Sequence, residues 1–163
     1  MSRRVVAKPD AAESRPPSTE EAFAVGPLIG RVRTVLLTAL DRELQPYGLA
    51  ATQFAVLKNI ADQTADTAAD LCRILHYDTG SMTRIVDRLE EKGLISRERS
   101  TGDRRVVSLR ITTAGRALLP RLRDTAARIV VGMLEGFSSD EVEELQRYLG
   151  RMIENGQRRV QAE

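Results

Sequence analysis

Two adjacent arginines and an aspartate sit together in Thr101-Gly102-Asp103-Arg104-Arg105, a short stretch flanked on both sides by strand-like alternation. Guanidinium groups at a hairpin tip can enter a DNA minor groove, where narrow A·T-rich sequence concentrates negative potential, or they can hold backbone phosphates. Gly102 supplies the left-handed backbone that a tight turn needs. Asp103 can hold one guanidinium in a fixed fork. As an exposed ion pair it would add only about 0–1 kcal/mol of stability, so its expected value is orientation. A merely soluble loop tip has the same composition, and the segment upstream decides between the two.

That segment is "DTGSMTRIVDRLEEKGL". At 100° per residue, Met82, Ile85, Val86 and Leu89 share one side of a helix. Gly80, Arg84, Asp87 and Glu91 point away, with Ser81 and Arg88 on one flank and Thr83 on the other. The helix therefore buries one face and presents small, hydroxyl and guanidinium groups on its N-terminal half. A helix entering a major groove needs this pattern: small residues let the backbone approach, terminal amides favour phosphate, and an arginine reaches guanine edges bidentately. Any amphipathic surface helix has a polar face, so the pattern gains weight only beside the hairpin. Asp87, Glu90 and Glu91 are expected as solvated groups or intramolecular partners.

Enzyme chemistry finds little support. His76 is the only histidine and Cys72 the only cysteine. Multi-histidine metal sites and intramolecular disulfides are therefore excluded, and a cofactor or catalytic pair has no signal. No glycine-rich phosphate loop or G-x-S-x-G elbow occurs. Cys72 follows Leu71 in a core-facing position and is expected to be a small inert residue, with an oxidant-sensing thiol as the alternative.

The elements that position these groups follow from pattern and composition. The 163 residues carry 25 basic and 23 acidic side chains, and of the basic ones only Lys8, Lys58 and Lys92 are lysine. Between Leu94 and Arg110, five arginines face Glu98 and Asp103, so the hairpin is more basic than the whole chain. Residues 1–20 are polar, lack the apolar stretch of a secretory signal and are expected to be a disordered arm. No run of 18 consecutive apolar residues occurs, and no membrane span is expected. A helix is predicted from Pro27 to Pro46, with Leu28, Val32, Val35, Leu36 and Leu40 at helical spacing. Thr52 is expected to cap a second helix, Thr67 a third, and Asp78 or Thr79 the fourth, which Gly93 ends. Strands follow at Leu94–Arg99 and Val106–Thr112. A helix opened by Thr113 runs to about Gly136, with Leu118, Leu122, Ala126, Ile129, Met133 and Phe137 on its stripe and Pro120 as an expected kink. A final helix, boxed by Ser138 and Glu141, carries Val142, Leu145, Leu149 and Met152 on a seam that wants a partner helix.

This order predicts a mainly α (α+β) fold. It is a winged helix-turn-helix lobe over 51–112, with long dimerisation helices over 21–50 and 113–163. "LQPYGLAATQFAVLKNIA" and "DLCRILHYDTGSMTRIVDRLEEKGLISRERSTGDRRVVSLRITTAGRALL" resemble the MarR family of bacterial transcription regulators over about Leu28–Val160. "LAAT" stands where the family has "LT" followed by proline, and Cys72 where it commonly has alanine. The resemblance implies a cytoplasmic homodimer on a pseudo-palindromic operator in double-stranded DNA, most simply a repressor. It places Gly80, Ser81, Thr83 and Arg84 in a major groove, with Arg88 on their flank, and Asp103, Arg104 and Arg105 on the wing. It also implies a small aromatic or phenolic effector, for which Arg31, His76 and Tyr77 are candidates. A winged-helix protein-interaction scaffold that reads no DNA is the alternative from another class.

Overall fold

The computed structural model describes residues 15–99 and 107–161. The chain divides into two compact units, one through Val35 and one from Leu36 onward. In chain order the elements are α1 (Thr19–Leu44), a 3-10 turn (Gln45–Tyr47), α2 (Ala51–Ala61), α3 (Ala68–Leu75), α4 (Thr79–Glu91), β1 (Ile95–Arg99), β2 (Val107–Ile111), α5 (Thr113–Met133) and α6 (Ser139–Gln161).

The first helix starts earlier than Pro27. Ser18 and Glu21 form a capping box: Ser18 N donates to Glu21 Oε2 at 2.7 Å and Glu21 N donates to Ser18 Oγ at 3.2 Å. These bonds satisfy two of the orphan donors of a helix start, so α1 begins at Thr19 and Pro27 falls inside it. Residues 1–14 of the expected arm lie outside the described residues, while Thr19 and Glu20 are helical. By length and composition alone Thr19–Tyr47 is long and apolar enough to cross a membrane, but Arg31 and Arg33 interrupt it, so no run of 18 consecutive apolar residues occurs. The predicted stop holds, since Pro46 lies in the 3-10 turn and Gly48 closes it at φ +65°.

In the unit from Leu36 onward, Thr52 does not cap α2. The amides of Ala50 and Ala51 are taken by Gln53 Oε1 at 3.0 Å and Asp41 Oδ1 at 2.7 Å, which moves the start to Ala51. Thr67 caps α3 as expected, its Oγ1 accepting from Asp70 N at 3.1 Å. One core joins these elements. Leu44, Val56, Leu57, Leu71, Met82, Leu89 and Leu122 are fully buried in it. The strands pair antiparallel, Ile95 with Ile111, Arg97 with Leu109 and Arg99 with Val107. Leu109 and Ile111 are buried, whereas Val107, next to the tip, is exposed.

The wing is fastened at its base by one threonine. Thr112 N donates to Leu94 O at 3.1 Å, its Oγ1 donates to Gly93 O at 2.7 Å, and the same oxygen accepts from Gly115 N at 3.1 Å. This makes Thr112 the cap of α5, and Thr113 opens the helix as expected. Gly115 has to be glycine there: a Cβ would lie 2.3 Å from Leu94 O. The helix continues through Pro120, buries Leu119, Leu122 and Thr125, and ends at Met133, so Phe137 falls beyond it and is exposed. The Ser138–Glu141 box opens α6, with bonds of 2.7 and 3.2 Å.

Large apolar side chains remain uncovered at the two ends of the chain. Leu28, Val32 and Val35 on α1 each keep 57% of their surface, and Leu149, Met152 and Ile153 on α6 are also exposed.

Candidate nucleic-acid interface

The link before α4 is made of His76, Tyr77 and Asp78. His76 ends α3 in the left-handed region at φ +56°, a conformation in which histidine is enriched among non-glycine residues. Tyr77 N returns to Cys72 O at 3.2 Å. Asp78 then caps α4, its Oδ1 accepting from Ser81 N at 2.8 Å. The side-chain and backbone hydrogen bonds of Ser81, with the Arg84 charge, hold the Asp78 carboxyl below the usual carboxylate range. The cap is therefore ionised at neutral pH.

The sidedness predicted for α4 is present. Met82, Val86 and Leu89 are buried and Ile85 packs against the core. Gly80, Thr83, Arg84 and Arg88 are exposed and Ser81 is half-buried. Arg84 Nη2 donates to Ser81 Oγ at 3.3 Å, joining two of the candidate residues. Thr83 Oγ1 donates to Thr79 O at 2.8 Å and keeps lone pairs to accept with. At Gly80 a Cβ would sit 3.3 Å from Asp78 Oδ1, so glycine leaves both the cap and the outward backbone unobstructed. The N-terminal half of α4 therefore offers donors, hydroxyls and a guanidinium, and from Thr79 to Val86 it carries no carboxylate.

The acidic C-terminal half is occupied. Arg97 of β1 reaches across to α4, with Nη2 2.5 Å from Asp87 Oδ1 and Nη1 bonded to Glu90 Oε2. Arg97 N also donates to Glu90 Oε1 at 3.3 Å. Asp87 and Glu90 are thus intramolecular partners, while Glu91 is exposed. This clamp joins the wing strand to the helix, whereas from composition Arg97 is only one of the five arginines that make the hairpin basic. The available signal was the strand period, which places Arg97 on the same face as buried Ile95. The clamp also spends one of the hairpin arginines, and Arg110 Nε lies 3.6 Å from Glu98 Oε2. Asp103, Arg104 and Arg105 lie outside the described residues.

Of the effector candidates, His76 is exposed and Tyr77 packs partly against the core beside it. Arg31 is exposed on α1, in the unit through Val35. Cys72 is a free thiol, half-buried against the core rather than fully enclosed. Among the described residues no three His, Cys, Asp or Glu side chains gather where they could hold a metal ion.

The MarR family model matches residues 49–107, from the residue before α2's cap to the first residue of β2. Wild-type apo MarR from E. coli superposes with a TM-score of 0.70 at 29% identity, covering 78% of this chain and 96% of that one. A cysteine-to-serine variant of E. coli MarR complexed with operator DNA superposes with a TM-score of 0.72 at 28% identity, covering 84% and 99%. A MarR transcriptional regulator from Methanosarcina mazei Go1 shares the fold with a TM-score of 0.77 at 24% identity, covering 83% and 98%. With the winged helix-turn-helix elements and the α4 face in place, residues 49–107 match the MarR family model, and the chain is similar in fold to transcriptional regulators of that family.

Proposed function

We propose that this protein is a homodimeric, sequence-specific operator-binding regulator, acting as a cytoplasmic repressor that a small aromatic acid or phenolic ligand releases. The observation that carries the reading is the polarity of α4. Its buried side is fixed in the core, its outward N-terminal half presents Gly80, Ser81, Thr83 and Arg84, and Arg88 follows in the last turn, where Asp87 and Glu90 are already held by Arg97. The E. coli relative complexed with operator DNA has the same fold. In this reading Arg84 reads a base edge in the major groove, and Arg104 and Arg105 take the minor groove and phosphate, oriented by Asp103.

A second copy accounts for the uncovered apolar surface. Leu28, Val32 and Val35 of α1 and the Leu149–Ile153 stripe of α6 would meet their counterparts across a twofold axis. A membrane is a poorer solvent for α1, because Arg31 and Arg33 would each cost roughly 2.5–3.5 kcal/mol near a bilayer centre. Twofold symmetry then spaces two α4 helices about one turn of DNA apart, ~34–36 Å. Release needs an effector with higher affinity for a mis-spaced dimer, and its differential affinity sets the size of the effect. Arg31, His76 and Tyr77 are the candidate effector groups.

The test is a mobility-shift titration on genomic fragments at two salt concentrations, with the mass in solution measured in parallel. A dimer, saturable site-selective shifts and a steep loss of affinity with salt are expected. Failure to shift any fragment would leave only a protein-interaction role for the lobe.

A further inference from the structure

We propose that Asp62, at the C-terminal end of α2, is a positioning residue for operator reading. Its ion pair with Arg123 of α5 fixes the angle between the helix-turn-helix lobe and α5, and with it the half-site spacing the protein accepts. The inference rests on the operator-binding reading above and deepens it by naming the groups that set the spacing.

Asp62 is held on a closed turn. Its N donates to Lys58 O at 2.9 Å, Gln63 follows in the left-handed region at φ +58°, and Thr64 N donates to Asn59 O at 3.1 Å. A carboxylate at this end of a helix faces the free carbonyls and the negative pole of the helix dipole, which disfavour it. Two cations offset that conflict. Oδ2 accepts from Lys58 Nζ at 2.9 Å, and Oδ1 is bonded to Arg123 Nη2, 61 residues along the chain. The Lys58 hydrogen bond, with the Lys58 and Arg123 charges, holds the Asp62 carboxyl below the usual carboxylate range, so it is ionised at neutral pH. Lys58 lies on the same helix as Asp62, whereas Arg123 joins it to a different element. Among the described residues this is the only salt bridge between α5 and the lobe.

The pair gives α5 a second attachment. The first is the wing base, where Thr112 and Gly115 meet the backbone of Gly93 and Leu94. At roughly 1.5 Å per residue, Gly115 and Arg123 lie about 12 Å apart along the helix. Pro120 falls between them and removes a helix hydrogen bond, so α5 is softest between the two attachments. The wing base alone therefore does not set the direction of α5 beyond Pro120. Buried Leu122 presses that segment onto the core, but apolar burial is non-directional, and the ion pair supplies the orientation. The precision needed is high. A lobe about 20 Å across, the length of the 13-residue α4, moves its far side by ~3.4 Å when it turns by about 10°, and that displacement is one base-pair step.

Distances between spin labels test the proposal with no DNA present. Cys72→Ser removes the native thiol, and Glu91→Cys carries one label at the exposed end of α4. Double electron–electron resonance on the full chain then reads the separation of the two α4 helices in the dimer. One narrow distance is expected for the parent. Asp62→Ala and Arg123→Gln should each shift or broaden it by about 3 Å or more, one base-pair step, and Arg123→Lys should preserve it. Melts should match the parent, because a partly exposed ion pair adds little stability. On the footprinted operator, the two charge-removing variants should lose about two- to fivefold of the preference for the native spacing over duplexes with one base pair added or deleted. The same distance distribution in the parent and both variants would overturn the proposal, as would a parent that is monomeric or already broadly distributed. A parent that shifts no DNA fragment would instead remove the operator reading, with the label distances still deciding whether Asp62 sets the lobe angle.

Discussion

Replacing Gly115 with alanine sets two opposing effects against each other at the joint between the wing and α5. Alanine is the better helix former by up to about 1 kcal/mol, which alone would stabilise the variant. The added Cβ would lie 2.3 Å from Leu94 O, 2.8 Å from Ile111 Cγ1 and 3.2 Å from Leu94 C. An ordinary carbon–oxygen contact is about 3.3 Å or more, so α5 or the Leu94 backbone must move by roughly 1 Å. The nearest obstacle is a carbonyl and cannot rotate away like a side chain. The same Leu94 O accepts from Thr112 N at 3.1 Å, and Thr112 Oγ1 binds Gly93 O at 2.7 Å, so a shift of that size breaks or stretches both bonds. Overpacking costs typically 1–3 kcal/mol and each hydrogen bond about 1 kcal/mol. After the helix gain is subtracted, the net loss is about 2–4 kcal/mol. Urea unfolding at fixed protein concentration measures it, as a lower midpoint with an unchanged slope. A Gly115→Ala protein as stable as the parent, or more stable, would refute the reasoning and show that the joint yields freely.

Other expected outcomes concern the α4 surface and its supports. Arg97→Ala should leave Asp87 and Glu90 uncompensated beside the reading face, lowering DNA affinity even though Arg97 itself is assigned no DNA contact; removing Asp87 and Glu90 as well should restore part of it, which competition titration measures. Arg105→Ala should weaken binding to all sequences and flatten the salt dependence, and Asp103→Ala should lower affinity while leaving the melting temperature nearly unchanged. The carboxyls of Asp78, Asp70, Asp62, Glu21 and Glu141 are all held below their ordinary values by cap and ion-pair hydrogen bonds. Their folded forms take up protons at lower pH than the unfolded chain. Their contribution is therefore complete above about pH 4, the usual range of unfolded Asp and Glu, and is lost as pH falls through the lowered folded values. Thermal melts between pH 6 and 3 should fall across that window, with a shallower fall in Asp78→Asn.

What could be read from the sequence was local. The two sides of α4 follow from the helical period, and Met82, Val86 and Leu89 are buried as that period requires. Thr67, Asp78 and the Ser138–Glu141 box likewise act within three residues of themselves. The Ser18–Glu21 box is equally local, yet it sits in a polar segment that reads as an arm, upstream of the helix start expected at Pro27. Interactions across longer separations had no such signature. Asp41 takes the Ala51 amide from ten residues upstream and displaces the cap expected at Thr52. Arg97 finds Asp87 and Glu90 only because β1 turns back along α4. The exposed stripes of α1 and α6 follow their predicted periods, yet the chain by itself leaves them uncovered.

The reading of bases by α4 is tested most directly by footprinting DNA that flanks this protein's own coding region, comparing the parent with Arg84→Ala. Protection of two half-sites about one helical turn apart is predicted for the parent. The variant should lose about 1–3 kcal/mol of affinity at that site and discriminate less at one base pair in each half-site. An Arg84→Ala protein that protects the same site with the same affinity and the same base preference would contradict the account.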